Sequence, residues 1–268
     1  MTTAPTMLRS PVSRAISRLG TPLIASCCTL SVLVACSGTQ SERVLTPPRV
    51  LVAPYDTTRG ETLWAVAPLR NESGTTLIDG FEITDKVILA VEEVRGIRCL
   101  PLNRVIETMR SLEMTAVRTP DDAHRLASAL RVDGLIVGSI TAYDPYNPPR
   151  IGLALALYSD AAESGTHLDT RTLSTQATDA TRQHTRSPRS PSTVVSAMLD
   201  GANHQVLMDV KTYAQGRHDD RSALGWEIYL ASMDRYAQFA AHHVVDRLVQ
   251  NEWLRLTNDA GRQAQAAP

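Results

Sequence analysis

The chain has 268 residues, of which 43% are hydrophobic and only 4% aromatic. That is enough aliphatic material for one domain of ordinary size with extensions. A formal net charge of −1 leaves no electrostatic footprint for nucleic acid. Lys86 and Lys211 are the only lysines.

Arg9, Arg14 and Arg18 stand in a stretch without acids, and residues 22–35 are mostly apolar or small. A basic region followed by an apolar one predicts a secretory leader over residues 1–35. The apolar part is too short and interrupted for a spanning helix. Its end, Leu33-Val34-Ala35-Cys36, resembles the bacterial lipobox. That resemblance implies a diacylglyceryl group on the thiol of Cys36, cleavage before it and acylation of the new amine. Two or three acyl chains anchor a protein firmly, whereas one holds it only marginally. Losing residues 1–35 removes three arginines and no acid, which moves the net charge from −1 to −4. Ser37 is not the aspartate that retains lipoproteins at the inner membrane, so the resemblance favours the periplasmic face of the outer membrane. Cys27 and Cys28 leave with the leader, and Cys99 remains as a lone thiol in an apolar stretch, expected to be inert packing.

Residues 36–49 read as a tether ending in Pro47-Pro48. An α/β domain is expected over 50–176. Val50 to Pro54 is a short edge strand. Leu63 to Ala67 is a continuous apolar run, as in a strand covered on both faces. Pro68 weakens its ladder, and Asn71, Ser73 and Gly74 make a turn. Thr84 or Asp85 caps a helix to about Arg95, with Val87, Ile88, Ala90, Val91 and Val94 inward and Lys86, Glu92 and Glu93 outward. Ile97 to Leu100 is a second strand. Asn103 caps a helix through Leu112. Thr119-Pro120-Asp121-Asp122 opens a helix to Leu130, with proline and acids in its first turn. Gly134 to Tyr143 and Ile151 to Tyr158, joined by a short turn, predict an antiparallel hairpin, and large and small residues alternate along its second strand. Thr166 to Gln176 is a candidate last strand.

Residues 177–190 are polar, arginine-bearing and without period, as in a linker. Residues 191–257 are expected to be a helical extension. Val195, Leu199, Ala202, Val206, Val210 and Tyr213 recur at steps of three and four from a start at Ser190-Pro191. A longer helix spans about Ser222 to Leu256, with Trp226, Tyr229, Met233, Tyr236, Ala240, Val244 and Leu248 on one stripe. These form an antiparallel helical hairpin or lie along the α/β domain. Residues 258–268 are expected to fray. The fold class is thus mixed α/β (α+β), a small mixed sheet flanked by helices and followed by a C-terminal helical hairpin.

The strand and Pro-Leu-Arg-Asn-Glu-Ser-Gly exit over residues 65–74, the Ala129-Leu130-Arg131-Val132-Asp133-Gly134-Leu135-Ile136-Val137-Gly138-Ser139 segment and the lipobox together resemble a group of periplasmic lipoproteins. Their α/β domain is similar to the N-terminal domain of the Tol translocation protein. The group includes penicillin-binding-protein activators, flagellar-associated lipoproteins and the curli-secretion channel. The resemblance covers roughly residues 60–160, and the helical tail resembles uncharacterised lipoproteins of planctomycete-type bacteria. It implies an α/β sandwich that binds proteins or peptidoglycan machinery, without a cofactor. A curli-type channel needs two further hairpins with strands of about 9–11 residues. The paired strands around 144–149 are needed by the sheet.

Gly134 and Gly138 lie in a strand without a following Gly-Lys-Ser/Thr, so close strand packing explains them better than a phosphate cradle. No Gly-x-Ser-x-Gly elbow is present. His242 and Asp246 share a helical face, while the adjacent His243 points about 100° away, which reads as a solvated polar face rather than a metal site. Trp226, Tyr229 and Tyr236 pack inward or offer a stripe to a partner. The stiff, tyrosine-bearing loop at 143–149 offers contact area at low entropic cost, so Tyr143, Tyr146 and Asn147 are candidate partner-binding residues. The expected function is a non-enzymatic, lipid-anchored envelope protein that binds or scaffolds envelope proteins or cell-wall machinery. It reaches the membrane through Cys36, with no cofactor, no metal and no nucleic acid. The alternatives are a subunit of an outer-membrane secretion or assembly complex, and a hydrolase or small-ligand-binding protein on the same fold. A cleft of histidines or acids with perturbed pKa values would favour the last. An exposed apolar patch would favour binding.

Overall fold

The computed structural model describes residues 47–159, 190–219 and 222–266. Cys36, the 166–176 strand and nearly all of the 177–190 linker lie outside them. In chain order the elements are β1 (Thr62–Val66), β2 (Arg70–Asn71), α1 (Gly80–Glu92), β3 (Ile97–Cys99), α2 (Leu102–Ser111), α3 (Pro120–Leu130), β4 (Gly134–Asp144), β5 (Arg150–Ser159), β6 (Thr193–Asp200), α4 (His204–Ala214), α5 (Ile228–Ala231) and α6 (Met233–Ala266). The sheet order is β3-β1-β4-β5-β6, with β2 also beside β4. Strands β1 to β4 are mutually parallel where they pair, and β4, β5 and β6 form an antiparallel meander. The mixed α/β class read from the sequence is the one observed.

Strand β1 is covered on both faces, which is why its sequence is apolar without alternation. Trp64 and Val66 face α1 and α6 together with Ile136, Leu153, Leu155, Leu157 and Val195. Ala65 and Ala67 face α2 and α3, with Val105, Met109, Ala123, Leu126 and Leu135. Pro68 interrupts the ladder for a few residues only. Arg70 and Asn71 resume pairing with Ser139 and Ile140 of β4. Gly134 and Gly138 are explained by close approach. A Cβ on Gly134 would lie 2.7 Å from Nε1 of Trp64, and one on Gly138 would lie 2.4 Å from the backbone oxygen of Ala154. Backbone cannot yield as a side chain tip can. Gly138→Ala is therefore expected to cost about 1–3 kcal/mol, read as a lower urea midpoint with an unchanged slope.

Several helix starts differ from expectation. Helix α1 begins at Gly80, capped by Asp79. Thr84 sits one turn inside, where its hydroxyl donates to the Gly80 carbonyl (2.6 Å) and accepts from the Leu69 N–H (2.9 Å). It ties the loop after Pro68 to the helix instead of capping it. Lys86, expected outward, is buried and reaches Asp234 at the start of α6, with Glu82 3.6 Å away. Pro101, not Asn103, precedes α2. Helix α3 starts where its sequence says. Thr119 and Asp122 form a reciprocal capping box, and Arg131 takes the left-handed conformation at its end.

The helix read from Ser190-Pro191 is corrected: residues 193–200 are strand β6, paired with β5. Val195 and Leu199 are four apart, a spacing that puts two side chains on one side of either a helix or a strand. What decides is the residues between. Thr193, Val195, Ala197 and Leu199 are buried while Val194, Ser196 and Met198 are exposed, a period of two. The helix begins later, at α4, with Asn203 as its cap.

The long C-terminal helix is also divided. Ser232 is extended, so α5 ends and α6 starts afresh at Met233. Helix α6 runs on to Ala266, past the predicted fraying at Asn258, supported by Arg255–Asp259 and Arg262–Asp259 pairs at 3.2 and 3.6 Å. It is not an appendage. Tyr236, Phe239, Ala240, Val244 and Leu248 are wholly buried in the core that β5, β6 and α1 share. The aromatic stripe thus packs inward, with Tyr229 buried and Trp226 half-buried.

One ionic cluster locks α6 down. Glu252 is entirely buried. It accepts from Arg255 at 2.5 and 2.8 Å, from the Thr193 hydroxyl of β6 at 2.6 Å and from the Tyr55 phenol at 3.2 Å. Burial pushes its carboxyl up, but the hydrogen bonds from Arg255 and Thr193 outweigh it and hold the group below the ordinary glutamate value. One carboxylate joins three segments far apart in sequence.

Candidate functional site

The three residues singled out at the hairpin tip do not act together. Tyr143 is half-buried against the core. Burial, and then the nearby Glu82, push its phenol up. Tyr146 is 73% exposed and Asn147 is exposed, held in a turn where the Tyr146 N–H donates to Asp144 at 3.1 Å. The Asn147–Pro148 bond is cis. The turn presents Tyr146 and Asn147 to solvent and turns Tyr143 away from them.

A cleft of about 160 Å³ that the sequence reading missed lies between α4 and α6, beside Arg49. Arg217 forks onto Glu93 at 2.9 and 2.7 Å, with its guanidinium 4.5 Å over the Tyr213 ring. His242 was read as part of a solvated face. It is instead 13% exposed, with Nε2 buried, 3.9 Å from Glu93 and without a hydrogen bond among the described residues. Burial, and then Arg217, lower its pKa to about 4 against the opposing pull of Glu93 and Asp246, so at neutral pH it is uncharged. His243 turns to Asp209 at 4.0 Å, and burial lowers it too. Arg49 pairs with Asp246 at 3.5 Å. The signal in the sequence was that His242 stands three residues after Phe239, on the buried side of α6. Arg217 and Glu93 could not be brought to it without the fold.

This cleft lacks an armed nucleophile. The Thr212 hydroxyl donates to the Met208 carbonyl at 2.9 Å, and burial pushes the Tyr213 phenol up to about 12. Among the described residues no group of three or more His, Cys, Asp or Glu is placed to hold a metal ion. Cys99 is buried, and burial pushes its thiol up to about 12, away from the reactive thiolate.

On the opposite face the sheet is only partly covered by the described residues. Helices α2 and α3 lie over β1 and the near side of β4. Along β5 the large residues Ile151, Leu153, Leu155 and Leu157 face the core, and the small Ala154 and Ala156 face out. Across the register, Val137, Ala156 and Val194 form one row, and Ser139, Ala154 and Ser196 the next. Val194 and Met198 are more than half exposed. A groove of about 220 Å³ runs along these rows from the start of α3, rimmed by Arg118 and Arg70 with Tyr158 at one side. This is an exposed apolar surface floored by small side chains.

No family model matches the chain, and no curated protein does. Among solved structures, the chain is similar to lipoprotein GNA1162 from Neisseria meningitidis, at 14% identity over 44% of this chain and 94% of that one, with a TM-score of 0.32. It is similar to the LpoB C-terminal domain from Salmonella enterica, at 11% identity over 51% and 84%, with a TM-score of 0.32. It is also similar to the hypothetical protein CT253 from Chlamydia trachomatis, at 11% identity over 71% and 98%, with a TM-score of 0.34.

Proposed function

We propose that this chain is a non-enzymatic envelope protein, held by acyl chains on Cys36 at the periplasmic face of the outer membrane, where it binds or scaffolds envelope proteins or cell-wall machinery. The observation that carries the reading is the open outer face of β5 and β6, with Val194 and Met198 exposed beside a groove floored by small residues. A sheet face of this kind is complementary to another surface. No helix among the described residues is long and apolar enough to cross a membrane, and in this reading attachment falls to Cys36. The histidine cleft favours a second reading, a small-ligand-binding protein on the same frame.

Two measurements test the first reading. Cys36→Ser is expected to move the protein from the membrane pellet to the soluble fraction, because both acyl signals depend on that thiol. A mutant that sediments as the wild type does defeats the anchor. A photo-crosslinking residue at Met198 is expected to capture an envelope protein in intact cells, and one at the exposed Arg110 on the far helices is not. Equal capture at both positions, or none at either, defeats the binding face.

A further inference from the structure

The sheet ends on β3 at one side and on β6 at the other. The two ends are built differently. Strand β3 has only three residues, and its middle residue Arg98 is exposed and paired with Glu61 at 3.2 Å. Just before it, Val52 bridges to Arg95. A short, charged edge of this kind resists the addition of another strand. Strand β6 has eight residues, and from Thr193 to Leu199 it contains no charge, no proline and no glycine.

The register shows which way the backbone of β6 points. The Gly201 N–H donates to the Pro149 carbonyl at 2.8 Å, one step beyond the Arg150–Asp200 pair. Hydrogen-bonded pairs alternate along an antiparallel ladder, so Leu199, Ala197 and Val195 bond to β5 and the residues between them do not. Val194, Ser196 and Met198 therefore turn both N–H and C=O away from the sheet. Among the described residues no strand pairs with that edge. Helix α6 packs against β5 and β6 from the core side. The same three residues carry exposed side chains on the outer face.

This edge is complementary to itself. An antiparallel copy laid along it with Ser196 opposite Ser196 sets Val194 against Met198 of the second copy, and Met198 against Val194. Both apolar side chains are more than half exposed in the single chain. In the ladder they meet at a Cβ separation of about 4.5–5.5 Å. A slip of two residues in either direction breaks both pairs. Asp200, the nearest charge, falls opposite Ser192 of the second copy, and Arg150 already holds it at 2.8 Å. The two copies of Asp200 stand at opposite ends of the ladder, so no like charges face each other.

We propose that two copies of this chain pair antiparallel through their β6 edges about a two-fold axis at Ser196, making one continuous sheet. Such an interface is isologous: what one copy gives, it also receives. The pairing uses the backbone edge and does not rest on the binding role proposed above; it sets two of the open faces side by side.

The test follows the full chain in detergent by sedimentation. One strand pair is a small contact, so a monomer–dimer equilibrium is expected with a dissociation constant on the order of 10–100 μM. Ser196→Lys and Ser196→Glu are surface changes that each set like charges across the axis. Each is expected to weaken dimerisation at least roughly fivefold, and an equal mixture of the two to restore it, which a folding defect could not do. Cysteines read the register, since Cys99 is buried and the unsubstituted chain gives the background. Ser196→Cys is expected to oxidise to a disulfide-linked dimer, because a hydrogen-bonded pair holds its Cα atoms about 5.5 Å apart. Val194→Cys alone is not, since its own copy lies roughly 13 Å further along the ladder. Mixed with Met198→Cys it should crosslink. A chain that stays monomeric well above 100 μM, about the weak end of that range, would overturn the proposal. So would a lysine–glutamate mixture that fails to recover, or Val194→Cys that crosslinks to itself as readily as Ser196→Cys. A self-crosslink has twice the mass of the chain, so capture of a different protein at Met198 is scored separately and survives the failure of this pairing.

Discussion

Glu252→Ala is expected to destabilise the fold by about 3–5 kcal/mol, the range seen when one partner of a buried ion pair is removed. Arg255, whose side chain is 8% exposed, would keep its charge and lose the carboxylate that receives two of its hydrogen bonds. Thr193 and Tyr55 would lose their acceptor at the same time. Asp259, 3.2 Å from Arg255, would remain its one acid partner, so most of the loss comes from buried donors left short of an acceptor and not from the pair's net worth. The double change Glu252→Met with Arg255→Leu should therefore recover most of the stability, because an apolar pair of similar volume fits a dry site. Thermal unfolding followed by circular dichroism checks both. A single mutant within about 1 kcal/mol of wild type would mean the cluster is wet and dispensable.

Acidification is expected to weaken the fold through His242. Its pKa is about 4 in the folded chain against 6.5 for the free group. Between those values the unfolded chain binds the extra proton and the folded one does not, so stability rises with pH across that window. The contribution is fully present above pH 6.5 and lost as pH falls toward 4, by about 3 kcal/mol in total. The groups facing the ring are Glu93 just past the end of α1, Tyr213 of α4, Arg217 just beyond it, and Asp246 and His243 of α6 itself. Burial lowers His243 as well, which adds in the same direction. His242→Phe keeps the ring volume and discards the unpaired nitrogen. It should make the fall of the urea midpoint between about pH 6.5 and 4 shallower, with the His243 share remaining, while leaving the value at pH 7 near wild type. A midpoint that falls as steeply in the variant as in the parent would locate the acid sensitivity elsewhere.

How much of this could be read from residues alone depended on whether local chemistry was decisive. The Thr119-Pro120-Asp121-Asp122 start, the β4–β5 hairpin and the apolar run of β1 carry their own signals, and the structure has each of them. Residues 193–200 misled because Val195 and Leu199 satisfy two periods at once, and the choice was made by pairing with β5. The leader, the lipobox and residues 166–189 lie outside the described residues and stand as expectations. The sites are harder. The small residues of β5 were visible as an alternation, but only the sheet shows that α2 and α3, among the described residues, do not reach over them. The histidine cleft depends on Glu93 and Arg217, which are 124 residues apart. Such a meeting is set by tertiary packing, and no sequence window contains it.

The bond from Tyr55 to Glu252 spans 197 positions. At typical rates of synthesis those positions take roughly 10–40 s to leave the ribosome. For the part of that interval between Leu157 and Leu248, 91 positions apart, the apolar side of the meander is made but its α6 lid is not. A half-finished chain therefore exposes Leu153, Leu155 and Leu157 and has no means of closing over them. Chaperone capture, or delayed folding, is the consequence of encoding the lid of a sheet after the strands it covers.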